Sequence, residues 1–200
     1  MANKGFKEVE FKSKCENLSH DGKGCIKYNN HVGFFNNVLP GEEGVFVMTY
    51  YNSNQFYGYV KELTKTSKDR VKPRCPVYDT CGGCALQHMT YEAQLEFKKT
   101  RVEECLKRIG GFKNIKVNDT VGMDEPYFYR NKIQMPIRLS KRGKIISGFY
   151  QEKTHDIAPI DKCYIENSDA DRILASIKEV MRQVKVMPYD EDRRTGVIRH

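Results

Sequence analysis

Three cysteines lie close together in the segment CPVYDTCGGC, which occupies residues 75–84. Five residues separate Cys75 from Cys81, and two glycines separate Cys81 from Cys84. Thiolates in loops of this kind bind zinc or iron–sulfur clusters. The paired glycines let the backbone pass close to a bound group, because glycine has no Cβ atom. The spacing therefore predicts a thiolate site in this loop.

A fourth thiolate must come from elsewhere in the chain. The further cysteines are Cys15, Cys25, Cys105 and Cys163. Zinc sites usually use two short cysteine pairs, and only one is present here, so the spacing favours an iron–sulfur cluster over zinc. Cys163 lies in a polar turn from which a thiolate can project, whereas Cys105 flanks the apolar stripe of a predicted helix and is expected to be buried. His88 is a conceivable ligand, although a single histidine is more often a packing residue.

Short strands predominate in the first 63 residues, which show no helical period. Asn29 and Asn30 stand between two strand-like runs, as is typical of a tight hairpin turn. Five or so strands of this kind predict a small closed barrel of the OB type over residues 1–63. The basic segment 64–74 is predicted to link this barrel to a second, α+β domain over residues 75–200.

Two helices are predicted after the cysteine loop. Thr90 is expected to cap the first, which should end at Gly110-Gly111. Its apolar stripe comprises Tyr91, Leu95, Val102, Leu106 and Ile109. The second helix is expected to begin at Ser168, with Asp171 as the capping-box partner. Its apolar stripe comprises Ile173, Ile177, Val180, Met181 and Val184.

A hairpin is predicted between these helices, with residues 127–139 and 144–154 as its strands and SKRG as its turn. The closing run TGVIRH also resembles the start of a strand. Because a domain rarely ends where a strand begins, we expect the second domain to be truncated at its carboxyl end.

The net charge of +8 is concentrated in the middle of the chain. Residues 63–144 hold eighteen Lys and Arg against nine Asp and Glu, which favours a polyanionic partner such as nucleic acid. No run approaches the roughly 18 apolar residues of a membrane-spanning helix, and the amino terminus lacks the apolar core of a secretory signal. We therefore expect a cytoplasmic protein with reduced thiols and no membrane partner.

Several basic and aromatic side chains are candidates for contacting such a partner. In the predicted linker they are Lys65, Lys68, Arg70, Lys72 and Arg74. In the predicted hairpin they are Arg130 and Lys132, on one face of a strand, and Lys141 and Arg142, at the tip. In the barrel, bases could stack on Phe34, Phe35, Tyr57 and Tyr59.

The sequence resembles a known family along most of its length. The resemblance lies in HDGKG, LPGEEG and KDRVKPRCPVYDTCGGCALQHMTYEAQLEFKK, and continues in YRNKIQMPIRLSKRGKIISGFYQEKTHDIAPIDKCYIEN and the closing GVIRH. These segments are similar to the bacterial uracil-C5 methyltransferases of 23S ribosomal RNA. The resemblance implies a mainly β fold, with an OB-like TRAM barrel followed by an α+β central domain that holds a [4Fe–4S] cluster. It also implies that Cys75, Cys81, Cys84 and Cys163 are the cluster ligands.

Members of that family transfer a methyl group from S-adenosylmethionine to C5 of a uracil, with a cysteine nucleophile that first adds to C6. A Gly-rich cofactor turn on a doubly wound sheet is not found in this sequence, because DGKG at 21–24 follows a polar stretch. By the resemblance, the cofactor site and the nucleophile lie carboxy-terminal of this chain, which is therefore predicted to be inactive alone, with no catalytic residue. The implied partner is 23S ribosomal RNA and not DNA. We expect a monomer, or a dimer through the truncated strand edge.

Two alternatives remain open. One is a TRAM-containing radical S-adenosylmethionine methylthiotransferase, whose C-x3-C-x2-C spacing differs from the five-residue gap found here. The other is a zinc-binding RNA-binding module without enzymatic activity. Metal analysis separates the zinc-binding module from the methyltransferase interpretation, whereas the cysteine spacing and the available fourth cysteine argue against the radical enzyme.

Overall fold

A computed structural model describes residues 7–52, 54–152 and 154–200. The chain divides into two compact units: the first holds the residues up to Lys72 together with Ala85–Val121, and the second holds Pro73–Cys84 and Gly122–His200. The first six residues of the predicted barrel lie outside the described part. Neither helix of the described residues is both long and apolar enough to cross a membrane.

A closed five-stranded barrel forms the larger part of the first unit, as the sequence predicts. Its strands are β1 (Val9–Leu18), β2 (Gly24–Tyr28), β3 (His31–Phe35), β4 (Glu43–Tyr51) and β5 (Gln55–Lys65). They close in the order β1-β2-β3-β5-β4, with β3 and β5 parallel and the other pairs antiparallel. Asn29 and Asn30 both adopt positive φ angles, 47° and 62°, as a two-residue hairpin turn with the right-handed strand twist requires.

Aromatic rings fill the barrel. Phe35, Phe46 and Phe56 are fully buried, and their rings pack edge to face. Gly33 makes room for Phe56, because a Cβ atom at residue 33 would lie 2.1 Å from the Phe56 ring. The prediction that Phe35 stacks RNA bases is therefore wrong, because its ring belongs to the core.

The first helix, α1 (Tyr91–Arg108), has its predicted cap, since the Thr90 hydroxyl accepts a hydrogen bond from the amide of Ala93. Its predicted apolar stripe is not a buried face: no residue of α1 is buried, and Val102 is 48% exposed. Cys105 is likewise half-buried instead of enclosed.

The helix groups with the barrel, although the sequence assigns residues 64–74 to a linker and the helix to the second domain. Two backbone hydrogen bonds account for this grouping. Val71 donates to the carbonyl oxygen of His88, and Thr90 donates to that of Asp69. The segment before α1 is thereby tied to the chain that leaves the barrel.

The second unit contains a three-stranded antiparallel sheet and one helix. The strands β6 (Ile137–Leu139), β7 (Ile145–Tyr150) and β8 (Ile157–Pro159) follow in spatial order, and α2 spans Ser168–Gln183. The predicted hairpin is therefore shorter than expected. The beginning of its first arm does not pair with β7, because the amides of Phe128 and Arg130 donate to the carbonyl oxygens of Tyr164 and Ile165.

Helix α2 differs from the prediction in its cap and in its apolar face. Asn167 caps it by accepting from the amide of Asp169, while the Asp171 carboxylate accepts from the amide of Cys163. Within the described α2 only Met181 is buried, and the other apolar stripe residues are at least 40% exposed. This face borders a shallow apolar groove that Val186 and Ile198 also line.

Candidate thiolate site and nucleic-acid surface

The four predicted ligand cysteines all belong to the second unit. Cys163 is buried in a small apolar cluster with Ile160 and Ile165, and the Cys81 and Cys84 side chains pack against that cluster. The Cys75 thiol is close enough to Cys81 to raise the pKa of Cys81. The remaining cysteines, Cys15, Cys25 and Cys105, lie in the first unit. The fold thus brings the turn at residue 163 to the cysteine loop.

Neighbouring sheet and helix residues position this site. The amide of Gly82 donates to the carbonyl oxygen of Tyr150 at the end of β7 (3.0 Å), and a Cβ atom on Gly82 would lie 2.8 Å from that oxygen. The amide of Gly83 points to the Cys81 sulfur, 3.4 Å away. On the other side, Asp171 in the first turn of α2 accepts from the Cys163 amide at 3.2 Å.

The surroundings favour neutral thiols over thiolates. Burial raises the pKa of Cys163 to about 11, and the Glu166 carboxylate and the Cys84 thiol act in the same direction. Burial also raises the pKa of Cys81, to which Cys84 and Cys75 contribute. A compensating positive charge would favour the thiolate forms of Cys81 and Cys163, and a metal deprotonates a coordinating thiol outright. No set of three or more His, Cys, Asp or Glu side chains in the described part of the chain is arranged around a single ion position.

Glu166 is a buried acid that the sequence does not reveal, because it stands in an ordinary polar turn. Its side chain is 0% exposed, and neither carboxylate oxygen has a hydrogen-bond partner among the described residues. Burial raises the pKa of Glu166, repulsion from Asp171 raises it further, and the charge of Arg130 opposes both. Arg130, which the sequence predicts to face RNA, is thus half-buried near an acid.

The predicted RNA contacts divide into exposed and engaged side chains. Lys72, Lys132, Lys141 and Arg142 are exposed, the last two in the β6–β7 turn. Arg70 is engaged within the first unit. Its Nε and Nη2 atoms donate to the buried Glu42 carboxylate at 2.5 and 2.7 Å, and Nη2 also donates to the carbonyl oxygen of Asn37. The predicted RNA contact by Arg70 is therefore replaced by a structural ion pair.

Arg74 lies among aromatic rings of the second unit. Its guanidinium carbon is 4.6 Å from the ring centre of Tyr127, 5.4 Å from that of Phe128 and 5.3 Å from that of Tyr164. The Lys162 ammonium lies 5.3 Å from the Tyr164 ring. These five residues are referred to below as the aromatic cluster. The sequence contains these aromatic and basic residues, but it does not show that they lie together. Their proximity depends on backbone pairing between segments 128–130 and 164–167.

The barrel carries a second aromatic surface in the first unit. Phe34 and Tyr57 lie opposite each other on the parallel strands β3 and β5, with ring centres 5.8 Å apart. Tyr50 adds a third ring 6.1 Å from Tyr57, and Tyr59 is 49% exposed. Phe34, Tyr57 and Tyr59 therefore stay candidates for base stacking, unlike Phe35.

Sequence comparison finds RNA methyltransferases along nearly the whole chain. An uncharacterized RNA methyltransferase of Halalkalibacterium halodurans is 40% identical over 185 residues, 92% of this chain and 40% of that protein. An uncharacterized RNA methyltransferase of Listeria innocua is 42% identical over 92% of this chain and 40% of that protein. Another, of Clostridium acetobutylicum, is 36% identical over 97% of this chain and 42% of that protein. The chain thus spans about two-fifths of the length of these relatives. No protein-family model matches it.

A solved structure of an RNA methyltransferase has a similar fold. The tRNA (uracil-54, C5)-methyltransferase of Pyrococcus abyssi, in complex with S-adenosyl-L-homocysteine, superposes with a TM-score of 0.64 at 25% identity. The match covers 94% of this chain and 41% of that one. In sequence and in fold, this chain is therefore similar to a part of RNA methyltransferases, including one that modifies C5 of uracil.

Proposed function

We propose that this chain is the RNA-recognition part of an S-adenosylmethionine-dependent uracil-C5 methyltransferase of 23S ribosomal RNA, and that it holds a [4Fe–4S] cluster. The names of the relatives support RNA methylation, and that of the structural neighbour, a tRNA enzyme, supports uracil C5 as the position. Ribosomal RNA as substrate rests on the resemblance of the cysteine loop and the segments around it. The cytoplasm and a monomeric state belong to the same proposal.

The grouping of four cysteines in one unit is the observation that carries the cluster. Cys75, Cys81, Cys84 and Cys163 supply four sulfur donors, and apolar residues surround Cys163. The amide of Gly83 points to the Cys81 sulfur, and hydrogen bonds of this kind tune bound clusters. A [4Fe–4S] cluster is larger than a single ion and takes one cysteine per iron, so the number of sulfur donors fits it.

When bound, the cluster supplies iron–thiolate bonds that join residues 75–84 to Cys163. The chain contributes the rest of the site. Tyr150 holds Gly82 through the backbone, and Asp171 holds the amide of Cys163. Methyl transfer needs no electron, so a structural staple accounts for the cluster without a redox step.

We assign RNA recognition to the exposed basic residues and to the barrel surface. Lys72, Lys132, Lys141 and Arg142 are exposed and suited to phosphate contacts. Phe34 and Tyr57 offer half-buried rings to unstacked bases. No cysteine of this chain is assigned as the nucleophile, and S-adenosylmethionine is assigned to the part of the relatives that this chain does not match.

Metal analysis tests the cluster. We expect about four irons and four sulfides per protein purified without oxygen, and loss of both in Cys163→Ser. Cys105→Ser is the matched control, because Cys105 is a half-buried thiol of the other unit, and it should retain both. Stoichiometric zinc without sulfide would instead support the zinc-binding module. Iron that survives Cys163→Ser would support the radical enzyme.

Methyl transfer tests the substrate. The full-length protein with methyl-labelled S-adenosylmethionine should label unmodified 23S ribosomal RNA at uracil C5, and this chain alone should not. Labelling of transfer RNA with none of ribosomal RNA would contradict the proposed substrate while leaving the reaction intact. Labelling of neither RNA would contradict the reaction itself.

A further inference from the structure

The aromatic cluster presents flat rings and positive charge at the surface of the second unit. Tyr127, Phe128 and Tyr164 are each half-buried, so one part of every ring remains accessible. Arg74 keeps 45% of its side chain exposed, and Lys162 is exposed. By contrast, Phe35 and Phe56 in the barrel are fully buried.

The backbone at Phe128, within this surface, is strained. Its φ angle is +53°, in the left-handed region that a bulky side chain rarely adopts and that costs on the order of 1–3 kcal/mol. Backbone hydrogen bonds hold the segment: Phe128 donates to Tyr164, Arg130 to Ile165, and Asn167 to the carbonyl oxygen of Arg130. In this conformation the Phe128 and Tyr164 ring centres lie 6.2 Å apart. Strain of this kind is found preferentially at ligand-binding sites.

Within the fold the charge of Arg74 meets aromatic rings and one weak ion pair. Its acidic neighbour, Glu125, is 3.7 Å away and 64% exposed, a geometry in which an ion pair contributes little. The two cations of the cluster, Arg74 and Lys162, thus lie beside the rings with exposed side chains. A ligand that matches both features has a flat aromatic group next to a negative charge. A nucleobase with its phosphate has this chemistry.

We propose that the aromatic cluster stacks an unpaired base of single-stranded RNA, with Arg74 and Lys162 beside the adjoining phosphates. The inference rests on the proposed function in so far as RNA is the partner. Single-stranded RNA is required because bases in a duplex are already stacked on each other and do not offer their faces. Stacking on protein rings also tolerates any base, so the cluster contributes affinity for an open loop more than for a sequence.

Binding by the full-length protein tests this inference. The probe is a single-stranded RNA oligonucleotide carrying one fluorescent base analogue, 2-aminopurine, compared with the same strand in a duplex. We expect quenching for the single strand alone, and roughly 5- to 150-fold weaker binding for Tyr127→Leu or Tyr164→Leu, as loss of a stacked base predicts. Tyr164→Phe keeps the ring and should bind like wild type. The control is Tyr189→Leu, which alters a ring of the same unit that lies 6.0 Å from Arg199 and outside the cluster.

A second measurement needs no variant and so does not depend on folding of the leucine substitutions. Photo-crosslinking of 5-iodouridine RNA to the wild-type protein should label Tyr127, Phe128 or Tyr164. RNA binding with crosslinks only elsewhere would overturn the inference and leave the proposed function standing. Equal affinity for duplex and single strand would do the same. Absence of any RNA binding by wild type would overturn both.

Discussion

Replacing Arg70 should destabilise the first unit strongly. Glu42 is 0% exposed, and its carboxylate accepts hydrogen bonds from Arg70 and from the backbone amides of Leu39 and Ser67. In Arg70→Ala the two amides remain, but the buried negative charge loses its counter-ion. Breaking one side of a buried pair costs about 3–5 kcal/mol. Because small domains have only about 5–15 kcal/mol of unfolding free energy, this loss is a large fraction of the total.

The pH dependence of the unfolding free energy provides a second, independent test of the Arg70–Glu42 pair. Burial alone would raise the pKa of Glu42, but the hydrogen bonds from Arg70, Leu39 and Ser67 outweigh it and lower the pKa. A carboxylate with a lowered pKa in the folded state stabilises the fold above its unfolded pKa, about 4.3. That contribution is lost as the pH falls through the folded pKa. The difference in unfolding free energy between wild type and Arg70→Ala should therefore have its full value at pH 7 and decrease below about pH 4.

Urea unfolding at pH 7 and at acidic pH, followed by far-UV circular dichroism, measures both effects. Lys65→Ala is the matched control, because Lys65 pairs with Glu43 at 3.2 Å while both side chains are largely exposed, so its midpoint should stay near that of wild type. Arg70→Lys keeps the charge but loses the paired hydrogen bonds of the guanidinium to the Glu42 carboxylate. Its unfolding midpoint should lie between those of Arg70→Ala and Lys65→Ala. A loss below about 1 kcal/mol in Arg70→Ala, or one that does not change with pH, would refute the structural role of the pair.

Three further predictions concern single contacts. Gly33→Ala should lower the thermal midpoint markedly, because its Cβ would lie 2.1 Å from the Phe56 ring and such overpacking costs about 1–3 kcal/mol; an unchanged midpoint would contradict the packing described. Asn167→Ala should cost about 1 kcal/mol in chemical unfolding by removing the cap of α2, whereas Ser168→Ala should be nearly neutral, and the reverse order would restore Ser168 as the cap. Ile177→Glu should leave the melting temperature of this chain unchanged while reducing binding of a hydrophobic dye, since Ile177 is 40% exposed on the apolar face of α2; a large drop in stability would mean that this face is covered.

The barrel was predictable because its signals are local. Alternation along the strands and the Asn29-Asn30 turn depend only on neighbouring residues, and both correspond to the structure. Alternation also requires Phe34 and Phe35 to face opposite sides, but it does not say which side is the core. Only closure of β3 against β5 decides that Phe35 is enclosed.

Features that depend on residues distant in the sequence could not be predicted from local patterns. Segment 127–136 has the aromatic composition of a strand, yet the backbone groups of Phe128 and Arg130 bond to residues more than thirty positions away. Arg70 looked like a free cation in a basic segment until the fold placed Glu42 beside it. The cysteine loop is the opposite case, because its spacing is local. Cys163 lies in an apolar cluster against which Cys81 and Cys84 of that loop pack, while its role as a fourth ligand stays a prediction.

The interleaved path of the chain has a consequence for the order of events during synthesis. Residues 75–84 leave the ribosome well before Cys163, which belongs to the same unit. At a translation rate of about 5–20 residues per second, the three loop thiols wait roughly 4–16 s for the fourth. When that interval begins, the first unit already has all of its barrel strands, whereas the three strands of the second unit are synthesised during the interval. Binding of the proposed cluster to the nascent chain is therefore expected to be late, and oxidants encountered before then would act on Cys75, Cys81 and Cys84 as an incomplete set.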